Sequence, residues 1–187
     1  MRYNIGIDID GCLTTSYCWL NHFNRMFNRN FTEEECTDYN LRNIYGINED
    51  VWEKSFCDNI EGYFESCDIR EDASEVINKI NLEHNCSFIT ARRDNKLVRG
   101  ITESYLKENK LDNIPLHMLN SHYKVDRAKE LNIDLFIEDN PSNALQLANE
   151  GITVLLMDSY YNKEARHENI FRVSGWSEIG ILINNIK

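Results

Sequence analysis

The chain is poor in basic residues: 20 of its 187 positions are Lys or Arg, against 31 Asp or Glu, for a formal net charge of −11 and a pI near 4.9. Binding a polynucleotide backbone draws on clustered cations that displace counterions, so an RNA or DNA partner is disfavoured while a mononucleotide is not. Long apolar runs are also missing; none approaches the roughly 18 residues needed to span a bilayer. No secretory leader precedes the first strand-like run, and none of the cysteines at 12, 18, 36, 57, 67 and 86 forms a CxxC pair. That spacing argues against a zinc site or a disulfide framework and predicts reduced thiols in a cytoplasmic protein, with a Cys57–Cys67 pair conceivable only for an exported chain. There is no internal repeat or low-complexity segment, and the scarcity of proline carries no functional message.

What is present is an alternation. Five short apolar runs, at 3–9, 86–90, 114–119, 134–138 and 153–157, are separated by helical patterns at 72–83, 95–109, 124–131 and 141–149, with a last helix over about 176–186. Such alternation predicts an α/β fold with a largely parallel sheet. Pro141 can open one helix at its first turn, and Gly151 stands where that helix should stop. The length suits one core with a modest insertion. About 75 residues separate the first two runs where one crossover needs about 30, so a subdomain is inserted there. Residues 15–72 hold 11 of the 20 aromatics, among them Trp19, Phe23 and Phe27 at i, i+4, i+8. That stripe reads as the buried face of a small helical unit. The run Glu33, Glu34, Glu35 after Thr32 reads as a solvated helix start.

The first run ends in "IGIDIDGCLT". A strand for a sheet interior that finishes in Asp8 and Asp10 would bury two like charges at several kcal/mol, unless a cation or a protonation change relieves them. Gly11 loosens the chain just there, at the strand end where open α/β sheets bind ligands. A hard divalent ion with oxygen ligands, Mg2+ in a cell, is the simple remedy. Other polar groups fall at neighbouring strand ends: Thr90, then Arg92 and Arg93, closes the second run; Lys124 opens a helix; Glu138 and Asp139 close the fourth run. Alone, each has an ordinary explanation as a cap, a surface lysine or a turn former. Together, at successive strand ends, they describe a site.

The ordered set "DIDGCLT", "FITAR", Lys124 and "FIEDNPSNA" resembles the four motifs of the haloacid dehalogenase superfamily of phosphatases. The length, the helical insert, "TDYNL" and "TAR" resemble its 5'(3')-deoxyribonucleotidase group and related bacterial nucleotidases. The resemblance implies a Rossmann-like core at 1–14 and 73–187 and a helical cap at 15–72. It also implies a Mg2+-dependent phosphomonoesterase acting on a small phosphate, a nucleoside monophosphate in the first instance and a sugar phosphate in the second. Asp8 would attack phosphorus and Asp10 would serve as general acid and base. Thr90, Arg92 and Lys124 would bind the phosphate, and Asp8, the carbonyl of Asp10 and Asp139 would hold the metal, with Glu138 outside it. Cys12 and the Glu–Asp order at 138–139 depart from the usual nucleotidase pattern. A phospho-aspartate signalling receiver uses similar groups but carries its acidic pair and its phosphorylated Asp on different strands, and it lacks an acid like Asp10. A cysteine nucleophile at Cys12 has no neighbouring His to activate it. The sequence leaves a homodimer open.

Overall fold

The computed structural model describes residues 2–65 and 67–185. The chain opens with β1 (Asn4–Ile7), then enters four short helices: α1 (Leu20–Phe27), α2 (Leu41–Tyr45), α3 (Glu49–Asp58) and α4 (Ile60–Glu65). It returns through α5 (Ala73–Glu83) to β2 (Asn85–Thr90), and continues as α6 (Lys96–Glu108), β3 (Leu116–Met118), α7 (Val125–Glu130), β4 (Leu135–Glu138), α8 (Pro141–Asn149), β5 (Thr153–Met157), β6 (Ile170–Val173) and α9 (Trp176–Asn185). The six strands form one parallel sheet in the order β3-β2-β1-β4-β5-β6. This is the predicted α/β core with a helical insertion after the first strand.

Alternation along the strands divides the core. Ile5 and Ile7 face α5 and α9 and pack with Ile77, Ile80, Trp176 and Ile179, whereas Phe136, Val154 and Leu156 face α7 and α8 on the other side. Gly6 is the exception that closes the central pair. A methyl group there would lie 2.6 Å from the Phe136 ring, so glycine lets the ring lie against β1. The chain turns outward on both sides of β1, which has β2 on one flank and β4 on the other, and so opens a crevice at the carboxyl ends of the strands.

Two expectations are corrected. The sixth strand went unread because "IFRV" is a short edge segment whose polar Arg172 and exposed Phe171 hide its pairing with β5. The expectation of six reduced thiols also fails: Cys18 and Cys67 form a disulfide, and Cys12, Cys36, Cys57 and Cys86 are free. Sequence spacing hid this pair because its members are 49 residues apart. They meet where the chain leaves and re-enters the core, beside an antiparallel bridge between Thr14 and Ile69. Arg70 ties the same crossing together: its Nε and Nη2 donate to the Gly11 carbonyl at 3.2 and 2.9 Å, and Nη2 also donates to Ser16 at 2.6 Å.

The inserted helices have their own core of Leu20, Phe23, Cys36, Leu41 and Tyr45. Phe23 lies within 6.2 Å, ring to ring, of Phe27, Tyr45, Trp52 and Tyr63, so the predicted aromatic stripe does pack inward. Glu33–Glu35 form an exposed 3-10 turn, and Thr32 and Glu35 make a capping box.

Candidate active site

Strand β1 ends at Ile7, two residues earlier than the apolar pattern suggested, and the next residues turn. The amide of Asp8 still donates to Ile137 at 3.0 Å, which fixes the carboxylate at the sheet edge. The carbonyl of Ile9 then accepts from the amides of Cys12, Leu13 and Thr14. From the far end of the chain, the Trp176 indole donates to the Cys12 carbonyl at 2.9 Å. Gly11, at φ +82°, has no room for a side chain, because a methyl group would lie 2.0 Å from Asp139 Oδ2. The first and fourth motifs are thus in contact.

Three buried carboxylates, Asp8, Glu138 and Asp139, converge so that one oxygen of each lies within 4.8 Å of the others. Among the described residues, one buried cation answers them. Lys124 Nζ stands 2.8 Å from Asp8 Oδ1 and 2.8 Å from Glu138 Oε2. If all three were ionised, three acids against one ammonium would leave two negative charges in excess at a buried site. Burial, with Glu138 and Asp10 adding to it against Lys124, pushes the Asp8 carboxyl up to about 8. Asp139 is driven well above the usual carboxylate range by burial and by the charges of Glu138 and Asp8. Glu138 goes the other way. Burial opposes its ionisation, but Lys124 and the amides of Asn140 and Asp139 outweigh it and hold the carboxylate below its ordinary value.

The partners separate the acidic pair. Glu138 Oε1 accepts from the amides of Asp139 and Asn140 at 3.1 and 3.0 Å, and Oε2 accepts from Lys124 and Asn143. Its acceptor sites are filled. Asp139 Oδ2 accepts from the Tyr161 hydroxyl, while Asp139 Oδ1 is buried with no hydrogen-bond partner. A buried, orphaned carboxylate oxygen beside Asp8 is the donor a hard cation would take, so the donor set is compatible with a divalent metal.

Around this centre, Thr90 is fully buried at the end of β2, and its hydroxyl accepts from the Arg92 amide at 3.2 Å. Thr90 does not cap α6, whose N-cap is Asn95, and accepting from the Arg92 amide leaves the Thr90 hydroxyl hydrogen available as a donor. Asp10 is 30 % exposed, and both of its oxygens are held by Arg92, Nε to Oδ2 at 2.9 Å and Nη2 to Oδ1 at 2.6 Å. Arg93 instead turns outward to Glu53 on α3 at 2.6 Å. Burial first, then the surrounding acids, raises the Cys12 thiol well above its normal range, which removes it as a nucleophile.

Over the centre lies a cavity of about 570 Å³ whose floor includes Asp10, Gly11 and Asp139 and whose cap wall includes Trp19, Phe23, Trp52, Phe56 and Tyr63. Sequence reasoning brought Asp8, Asp10, Thr90, Lys124, Glu138 and Asp139 to one edge, and the structure places them there. It missed Tyr161, which lies beyond β5 in a segment without a motif, and Arg70, which sits in a linker. Tyr161 stands edge-on to Tyr17 and Tyr39. Nothing in the local sequence marks either residue, since their partners are more than 20 positions away.

Among the described residues, no helix is long and apolar enough to cross a membrane. Residues 2–187 match the family described as 5' nucleotidase, deoxy (pyrimidine), cytosolic type C protein. A nucleotidase of Clostridium acetobutylicum is 34% identical over 185 residues, covering 99% of this chain and 95% of that one. The protein YqfW of Bacillus subtilis is 32% identical, covering 98% and 94%. Among solved structures, a haloacid dehalogenase-like hydrolase of Streptococcus pneumoniae superposes with a TM-score of 0.68 at 11% identity, covering 97% of this chain and 98% of the other. The L-2-haloacid dehalogenase of Xanthobacter autotrophicus gives 0.63 at 10% identity over the whole of both chains. These two share the fold; the sequence matches, over nearly the whole chain, make it a member of the cytosolic type C 5'-nucleotidase family, a hydrolase with Asp8 in its buried acidic cluster.

Proposed function

We propose that the protein is a Mg2+-dependent phosphomonoesterase of nucleoside monophosphates, resembling the 5'(3')-deoxyribonucleotidases. The observation that carries the reading is the cavity directly above Asp10 and Asp139, of a size suited to a small ligand and lined on the cap side by the half-buried rings of Trp19, Trp52 and Phe56, which can stack on a base. Asp8 attacks the phosphorus, the P–O bond to the sugar breaks, and an aspartyl-phosphate forms on Asp8. Asp10 gives its proton to the departing alkoxide, then takes one from the water that cleaves the acyl phosphate and frees Asp8. Lys124 holds Asp8 in place and offsets charge on the transferring group, while Thr90 donates to a phosphate oxygen. Asp8, Asp139 and the main-chain carbonyl of Asp10 would hold Mg2+, which supplies positive charge against the repulsion between a carboxylate and a phosphate dianion. Glu138, its acceptors already filled, anchors Lys124.

The test is a steady-state comparison of nucleoside monophosphates with sugar phosphates in the presence of Mg2+. The expected result is a preference for nucleotides. A kcat/KM favouring sugar phosphates by about tenfold, or about 1.4 kcal/mol of transition-state discrimination, would reject the nucleotidase reading, and no phosphate release from either class would reject the phosphatase.

A further inference from the structure

Arg92 was expected at the phosphate, yet its guanidinium is committed elsewhere. It is buried, and its fork closes on both oxygens of Asp10. The remaining amine, Nη1, donates to Thr102 on α6 at 3.0 Å, and Thr102 in turn donates to the Val98 carbonyl at 2.7 Å. One face of the guanidinium plane is covered by the Phe64 ring of α4, with 4.1 Å between Cζ and the ring centroid. Phe64 is itself buried and packs with Val98 and Met118 of the core and with Phe56, Ile60 and Tyr63 of the cap. One side chain therefore touches the sheet-edge acid, a core helix and a cap helix.

We propose that Arg92 is a positioning residue that couples the seating of the cap to the aim of Asp10, with Phe64 as the cap's contact. A bidentate Arg–carboxylate pair fixes the plane of the acid as well as its distance, and it occupies one lone pair on each oxygen. The others face the cavity, where Asp10 is partly exposed. Without the fork, Asp10 could rotate about both side-chain bonds; with it, the carboxyl is presented at one angle to the departing oxygen. The Phe64 ring adds a cation–π contact that a desolvated guanidinium feels strongly, and it lasts only while α4 is seated on α6. Cap position and acid geometry are then one variable. This inference rests on the proposed role of Asp10 as general acid.

The experiment compares a nucleoside 5'-monophosphate, whose alkoxide needs a proton to leave, with p-nitrophenyl phosphate, whose phenolate leaves unaided. In the Asp10→Asn enzyme, kcat/KM, which reports departure of the leaving group and not the later hydrolysis of the aspartyl-phosphate common to both esters, should fall by about a hundredfold or more on the nucleotide, with a much smaller loss on the aryl ester. Arg92→Lys keeps the charge but loses the fork; Phe64→Leu keeps apolar cover but loses the ring face. Both should show the same asymmetry, with about tenfold more loss on the nucleotide than on the aryl ester, at unchanged KM for p-nitrophenyl phosphate. Equal losses on both esters, or none, in a folded Phe64→Leu enzyme would overturn the coupling while leaving Asp10 its role. If Asp10→Asn itself shows no asymmetry, the acid role fails and the coupling falls with it. Phe64→Leu lies outside the polar site, so it decides the matter even if Arg92→Lys does not fold.

Discussion

Gly11→Ala is a severe test of the site as a single construction, because the glycine is needed for two independent reasons. Its φ of +82° is a backbone region that L side chains adopt at a cost of about 1–2 kcal/mol. The added methyl would also stand 2.0 Å from Asp139 Oδ2, far inside contact distance, so something must yield. The carboxylate cannot simply swing away, since Tyr161 donates to that oxygen and Asn162 donates to the Asp139 carbonyl at 2.7 Å. Nor is the Gly11 peptide free, being held by Arg70. Overpacking of this kind adds about 1–3 kcal/mol, for a total of about 2–5 kcal/mol. For a chain of this length, each kcal/mol moves the melting temperature by about 2–4 °C, so a drop of about 4–20 °C is expected in calorimetry without metal. Displacing Asp139 should in addition weaken Mg2+ binding by about ten- to a hundredfold, read by titration calorimetry on the same protein. A variant that melts within 2 °C of the parent and binds Mg2+ equally well would refute the contact between the first and fourth motifs on which the site is built.

Further outcomes follow from the buried charges. Asp8→Asn should reduce phosphate release to background while leaving the circular dichroism spectrum unchanged; retained turnover would displace Asp8 as the nucleophile. Lys124→Met removes the one cation among the three acids and should destabilise the metal-free protein by about 3–5 kcal/mol, a loss read by urea denaturation and contradicted by an unchanged midpoint. Because the folded pKa of Asp8 lies at about 8, above its unfolded value of 3.8, its contribution to stability is present below about pH 4 and is lost as pH rises through about 8. Asp8→Asn removes that ionisation, so its stability relative to the parent in a chelator should grow between pH 5 and 8; a constant difference would count against the shift. Added Mg2+ at a hundredfold excess over its dissociation constant should raise the parent's stability by about 2.7 kcal/mol, and no rise in melting temperature would argue against the metal site.

The parts of the fold that show in the sequence are those set by local pattern. The five runs, the helices between them and the stop and start at Gly151 and Pro141 depend on residues a few positions apart, and they are found within a residue or two of where the pattern puts them, apart from β1 and β3, which are shorter than their apolar runs. The site was legible for a related reason: parallel strands bring their carboxyl ends to one edge, so order along the chain becomes proximity in space. What stayed hidden has no local signature. The fork from Arg92 to Asp10 spans 82 positions, and the Cys18–Cys67 disulfide depends on where the insert closes. Glu138 and Asp139 look alike as neighbours in a sequence; only the count of donors around each shows that one is saturated and the other has an oxygen to spare.

The indole of Trp176 on the carbonyl of Cys12 has a consequence in time. The turn that carries the proposed nucleophile lies between residues 8 and 14, but one of its fastenings lies 164 positions further along the chain, and β1 meets β4 only once residue 135 has formed. Long-range pairing of this kind folds slowly, because the closure of a long loop precedes its reward. A chain still on the ribosome therefore carries Asp8 without the geometry around it. The proposed chemistry thus needs the chain out to Trp176, and chains terminated before it are expected to release no phosphate even though they contain both acids of the first motif.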